Sequence, residues 1–171
     1  MKRWITLAAG AWLAGSLVRA FRAPGKVIFG CEGRGDGQSP YLTRRTLLSL
    51  GPLGKLCLHT FHRSDADVFH DHPFAFATLV LRGGYFDMTP NGFGEWLKPG
   101  AFRARTANHT HRVLLRADTS IDELPADATS FPELPATTLV WLGPRVREWG
   151  FHLPKGWIPW RQYFADQGCK P

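Results

Sequence analysis

Eighteen glycines and thirteen prolines are spread along the 171 residues, and beyond the N-terminal segment they leave no stretch long enough for an extended helix. Proline removes a helix donor, and glycine weakens a helix interior. What survives between the breakers is a series of short segments with strand character. Val27 to Phe29, Tyr41 to Leu48, Leu56 to Phe61, Tyr85 to Met88, Glu95 to Leu97, Ala101 to Arg105, Arg112 to Arg116 and Thr137 to Leu142 all read this way. From His70 to Leu81 the side chains alternate with period two, which predicts one long strand. Gly83-Gly84 ends it, Asn91-Gly92 is a hairpin signal, and Gly143-Pro144 separates Thr137–Leu142 from a last strand over Arg145–Phe151. The class expected is all-β, in one domain over residues 25–171, because a chain of this length builds one sizeable core. Phe74, Phe76, Leu79, Leu81, Leu114, Leu139, Trp141 and Phe151 are the expected core, and the aromatic tail with Trp157, Trp160, Tyr163 and Phe164 is expected to cover it.

Residues 1–24 form a separate N-terminal segment. Lys2 and Arg3 precede an apolar run from Trp4 to Val18, which has the look of a secretory signal or membrane anchor. Arg19 and Arg22 follow at once and no A-x-A site closes the run, so a retained helix ending before Pro24 is preferred. Membrane association through residues 4–18 is the alternative. Three widely spaced cysteines, Cys31, Cys57 and Cys169, include no C-x-x-C pair; reduced thiols and a cytoplasmic location are expected.

The formal charge of +7 comes from scattered arginines, Arg44 and Arg45, Arg103 and Arg105, Arg145 and Arg147. Without an aromatic-basic motif, these read as a solvated basic surface and no nucleic-acid partner is expected. Gly33, Gly35 and Gly37 lack the strand-to-helix context of a dinucleotide fingerprint, and Gly54-Lys55 is followed by Leu56 where a phosphate loop needs Ser or Thr.

The chemical signal lies in the histidines. His70 and His72, two apart on a strand, share a face with Cα atoms roughly 6.5–7 Å apart, a span that two imidazoles close onto one ion. His111, with His109 two residues before it, opens a later strand that supplies a third imidazole. His59 lies on the preceding strand, on one face with Cys57 and Phe61; it is expected to be a fourth ligand or a substrate contact. Tyr85 and Arg112 are candidates to bind an anionic substrate. Trp149 and Phe151 are read as closing the core, His152 as structural, and His62 as facing away.

The run His70-Asp71-His72-Pro73, Thr78, Leu81-Arg82-Gly83-Gly84-Tyr85, then Lys98-Pro99-Gly100 and His111-Arg112-Val113 resembles the two signature motifs of the cupin superfamily. More narrowly, Leu58-His59, Arg63-Ser64-Asp65 and Trp149-Gly150-Phe151 are similar to a group of small uncharacterised cupin-like proteins of bacteria and their phages. This resemblance implies a double-stranded β-helix (jelly roll) with a divalent metal, iron, zinc, manganese or nickel, on His70, His72 and His111. Two departures matter. Phe76 and Ala77 stand where the family's acidic ligand is expected, and Pro99 to His111 is longer than the usual second motif. A three-histidine site results, similar to the thiol-dioxygenase branch, and it implies a small-molecule substrate; a homodimer is the expected assembly. Three functions follow: a non-haem metal-dependent dioxygenase or related enzyme, a non-catalytic ligand- or protein-binding module with a structural metal, and a metal-free barrel.

Overall fold

A computed structural model describes residues 24–32, 35–118 and 132–169. The N-terminal apolar run and most of the polar loop before Pro135 lie outside the described residues. Strands β1 (Lys26–Phe29), β2 (Pro40–Ser49) and β3 (Lys55–Phe61) come first, followed by β4 (Phe69–His70), β5 (Phe76–Arg82), β6 (Tyr85–Met88) and β7 (Gly94–Leu97). Next are β8 (Phe102–Arg105), β9 (Arg112–Leu115), β10 (Ala136–Leu142), β11 (Gly150–Leu153) and β12 (Gly156–Pro159), and a short helix, Trp160–Asp166, closes the order.

The pairing defines the fold. One sheet runs β1-β2-β3-β10-β5-β8, and another runs β7-β6-β9. A bridge between His70 and His111 joins β4 to β9. The eight strands from β3 to β10 therefore make two four-stranded layers, β3-β10-β5-β8 and β4-β9-β6-β7. That interleaving of first with last strand and second with seventh is the jelly roll, or double-stranded β-helix. The layers pack face to face. Val80 and Ala136 of the first meet Tyr85, Leu97, Val113 and Leu115 of the second in one buried cluster. Outside this framework, β1 and β2 extend the first sheet, while β12-β11 adds to β4. Gly83 makes the β5–β6 corner at φ +72°, where a Cβ would stand 2.3 Å from the Pro135 carbonyl oxygen.

Two expectations about the core change. The strand expected from His70 to Leu81 is interrupted between His70 and Phe76, where Pro73 cannot donate to a ladder. Inward and outward faces also differ from the expected core. On β5 the buried side chains are Phe76, Thr78 and Val80, while Leu81 is 46% exposed. On β10 they are Ala136, Thr138, Val140 and Leu142, with Leu139 and Trp141 on the other face; on β9, Val113 and Leu115 are inside and Leu114 is not. Both faces of these strands carry apolar residues. On β5 and β10 the inward face, which borders a cavity, carries Thr78 and Thr138 while the outer face carries Leu79, Leu81, Leu139 and Trp141, so hydrophobicity alone does not select the buried face. Phe76 and Phe151 are buried as expected, and Phe74 packs against the Phe76 cluster.

The expectation of reduced thiols is overturned for two of the three cysteines. Cys31 and Cys169 form a disulfide across 138 residues of sequence, with Cα atoms 5.1 Å apart; Cys57 is a buried free thiol. Such a separation is invisible to spacing rules, since only the fold brings the loop after β1 beside the end of the helix. Closing so long a loop restricts the unfolded chain and contributes about 2–4 kcal/mol. Reduction, or Cys31→Ser, is expected to lower the melting temperature by roughly 4–16 °C. A scanning calorimetry trace unchanged by dithiothreitol would contradict this.

The tail does act as a cover. Trp149 stacks on Trp160 with ring centroids 5.8 Å apart and planes within 8°, and Phe151 packs on Tyr163 at 3.9 Å and on Phe164 at 5.7 Å.

Candidate metal centre and its cavity

His70 and His111 face each other as a hydrogen-bonded antiparallel pair: the His70 N–H donates to the His111 carbonyl at 2.9 Å and the His111 N–H to the His70 carbonyl at 3.0 Å. Their side chains therefore emerge on one side. Beyond the end of β4 the His72 N–H still reaches the Ala107 carbonyl at 3.1 Å, which returns the second imidazole of the pair to the same side. One ligand nitrogen from each of His70, His72 and His111 lies within 4.8 Å of the others. The Nε2 atoms of His72 and His111 are 2.9 Å apart. Two nitrogens bound to one ion at about 2.0–2.1 Å stand roughly 3.0–3.4 Å from each other, so this donor set fits a divalent cation with little movement.

The carboxylates that orient these rings escaped the sequence reading. Asp87, 4% exposed, faces inward on β6 and accepts a hydrogen bond from Nδ1 of His111. This fixes the tautomer and leaves Nε2 as the donor atom toward a metal. Arg105 binds the other Asp87 oxygen at 2.9 Å and His109 Nε2 approaches it at 3.3 Å. Burial opposes the charge on Asp87, but the hydrogen bonds from His109, His111 and Arg105 outweigh it and hold this carboxyl well below the usual range. An acidic residue on the buried face of a strand was the available signal. Asp65 has a parallel place, with Oδ2 3.8 Å from Nδ1 of His70; it also accepts from Tyr41 Oη and from the Val113 N–H at 2.6 Å.

Burial pushes His70 down to about 4 and His72 well below its ordinary value, with neighbouring imidazoles adding to the effect. Both are therefore neutral near pH 7, the form that offers a lone pair.

The three histidines form one wall of a cavity of about 460 Å³. His59, 6% exposed, lines it from β3, apart from the histidine group, and its Nε2 accepts from Nε of Arg44 at 2.9 Å. Tyr85 lines it too, its hydroxyl pushed up by burial. Arg112 does not. Its guanidinium pairs with Asp67 and lies 5.4 Å from the centre of the Phe69 ring, because it projects from the outer face of β9. The arginines that line the cavity are Arg44, expected on a solvated surface, and Arg63, which pairs with Asp36 at 2.6 Å. Trp149 stands on the cavity wall rather than in a closed core. His152 and His62 make local contacts, with Thr110 at 3.3 Å and Thr43 at 2.8 Å.

Stability in the presence of a chelator should depend on pH. Burial, then the Arg44 charge, pushes His59 down to about 3, and His70 lies near 4, against 6.5 for the free side chain. The unfolded chain takes up these protons first, so stability is complete above about pH 6.5 and is lost as pH falls toward about 4. Melting temperatures from about pH 7.5 to about pH 4.5 should fall steadily, and His59→Gln should flatten part of the slope. A flat profile would contradict the burial assigned to these rings.

No known protein family matches the chain, and no curated protein does. Among solved structures, it is similar to a conserved Klebsiella pneumoniae protein with a double-stranded β-helix domain, at 18% identity and a TM-score of 0.44, covering 65% of this chain and 84% of that one. It is also similar to the polyketide cyclase RemF of Streptomyces resistomycificus, at 16% identity and TM-score 0.45, over 62% of this chain and 68% of that one. A cupin-2 domain protein of Shewanella frigidimarina matches at 11% identity and TM-score 0.43, over 60% and 79%.

Proposed function

We propose that the chain is a metal-binding cupin that holds one divalent ion on His70, His72 and His111 and acts on a small molecule in the adjoining cavity. The reaction class favoured is that of a non-haem metal-dependent dioxygenase or a related small-molecule enzyme. The observation that carries this reading is the position of the three imidazoles on the cavity wall, converging without a fourth protein ligand among the described residues. Structural sites are closed by a fourth ligand, whereas catalytic sites keep a position open. Iron, zinc, manganese and nickel all suit imidazole donors. When bound, such an ion supplies Lewis acidity, and if redox-active also one-electron chemistry.

The chain's own residues orient and shield. Asp87 holds the His111 ring from behind, and Asp65 lies beside His70. Trp149 and Phe151, backed by the C-terminal helix, wall the cavity with apolar surface and limit water. A second reading, a non-catalytic ligand- or protein-binding module pinned by a structural metal, draws on Asp87, His109 and His111, whose ligand atoms also lie within 4.8 Å of one another.

Metal analysis of protein purified without a polyhistidine tag tests the site: about one ion per chain is expected. Cobalt substitution then tests its openness, because a small molecule entering the cavity and reaching the ion shifts the visible spectrum. A site whose ion survives His72→Ala but is lost in Asp87→Asn and His109→Ala would favour the second reading.

A further inference from the structure

The cavity has a second polar feature, set apart from the histidine group. Arg44, His59 and Thr138 are direct cross-strand neighbours on β2, β3 and β10, since Arg44 pairs with His59 and His59 with Thr138. All three line the cavity. Arg44 donates from Nε to His59, yet no carboxylate among the described residues stands within ion-pairing distance of its guanidinium. Thr138 is 0% exposed, and its Oγ1 is buried without a hydrogen-bond partner. His59 accepts on Nε2 and so carries its proton on Nδ1. A half-buried cation without a counter-charge and a buried hydroxyl without a partner each cost stability unless a ligand satisfies them.

We propose that the Arg44, His59, Thr138 row is an anion subsite that binds a carboxylate of the small-molecule ligand. The row sits on the first sheet, and His70 and His111 belong to the facing one. Packed sheets stand about 10 Å apart, so a ligand spans the gap with its carboxylate on Arg44 and its other end toward the histidines. That far end rests on the reading of the histidines as a metal site; the carboxylate end does not. Charge favours a carboxylate over a phosphate. His59 is neutral near pH 7, as its depressed value near 3 requires, and Thr138 carries no charge, so the row offers one positive charge. A carboxylate balances it, whereas a phosphate dianion leaves negative charge in an apolar enclosure.

The test uses the full chain, with and without metal, and measures binding of acetate, butanoate and 3-phenylpropanoate against the matching neutral amides and 2-phenylethyl phosphate by calorimetry. At least one acid should bind about tenfold or more tighter than its amide, that preference should vanish in Arg44→Gln, and Thr138→Val should weaken acid binding severalfold. Without ligand, both variants should melt at or above the wild type, since each loses an unsatisfied polar group, and their metal content should match it. If Arg44→Gln fails to fold, the acid-to-amide ratio in Thr138→Val decides. No acid preference across the series, a preference that survives Arg44→Gln, or tighter binding of the phosphate overturns the carboxylate assignment. The metal reading fails separately: acid preference with no bound metal sinks that reading and leaves this subsite standing.

Discussion

Asp71→Ala is expected to cost about 1–3 kcal/mol of stability, the range for leaving a buried hydrogen-bonding group without its partner. The side chain of Asp71 is 2% exposed and lies between the two histidines of the H-x-H pair, on the opposite side of the backbone. One oxygen accepts from the Gly150 N–H at 2.8 Å. The other accepts from Arg147 at 2.7 Å and from Trp157 Nε1 at 3.0 Å. This carboxylate thereby fastens the end of β4 to the approach to β11 and to β12. Alanine would leave the buried Gly150 N–H without its acceptor and would deprive the half-exposed Arg147 and Trp157 side chains of theirs. Asp71→Asn keeps an acceptor for Gly150 but places a neutral amide against Arg147, so its loss should be smaller. Urea unfolding of the three proteins measures the effect, with a melting shift of roughly 2–12 °C expected for the alanine variant. A change below about 1 kcal/mol would show that the network carries no weight. Because Asp71 holds the backbone from which His70 and His72 project, metal affinity should fall in the same variant.

The contrast between Asp71 and its neighbours shows what the sequence could convey. The H-x-H pair announced itself, because period two puts both rings on one side; the residue between them had no visible partner, since Arg147, Gly150 and Trp157 follow more than seventy positions later. Strand positions were legible for the same local reason. Tyr85 to Met88 is bounded by glycines and a hairpin turn, and it appears unchanged as β6. The orientation of β5 and β10 was not legible, because their inward faces border a cavity and carry Thr78 and Thr138, while Leu79, Leu81, Leu139 and Trp141 face outward. Arg44 and Arg112 were exchanged in role as well. Arg44 lies in the polar run Thr43-Arg44-Arg45-Thr46, and only the sheet order reveals that it looks into the cavity while Arg112 looks out to Asp67. The Cys31–Cys169 bond belongs to the same class of information.

His72→Ala should weaken metal binding by more than about 100-fold. Loss of a residue that merely supports a ligand costs about 10–100-fold, and here one of three direct donors goes, leaving His70 and His111. The fold should survive. The buried clusters around Val80, Tyr85 and Leu97 and around Cys57 and Val140 do not include His72, so the variant should melt within a few degrees of the metal-free wild type. What a chelator does to the wild type then separates the two functions. An ion that serves catalysis adds only its mass-action share to stability, RT ln(1 + [L]/Kd), or roughly 2.7 kcal/mol at a hundredfold excess over Kd, and stripping it returns the protein to a folded state that melts where His72→Ala does. An ion that pins the strands is folding free energy itself, and its removal should broaden or abolish the transition. A wild type that keeps a cooperative transition in chelator, with His72→Ala superimposed on it, fits an open catalytic site. Collapse of both to a non-cooperative profile would assign the metal to structure and overturn the enzyme reading.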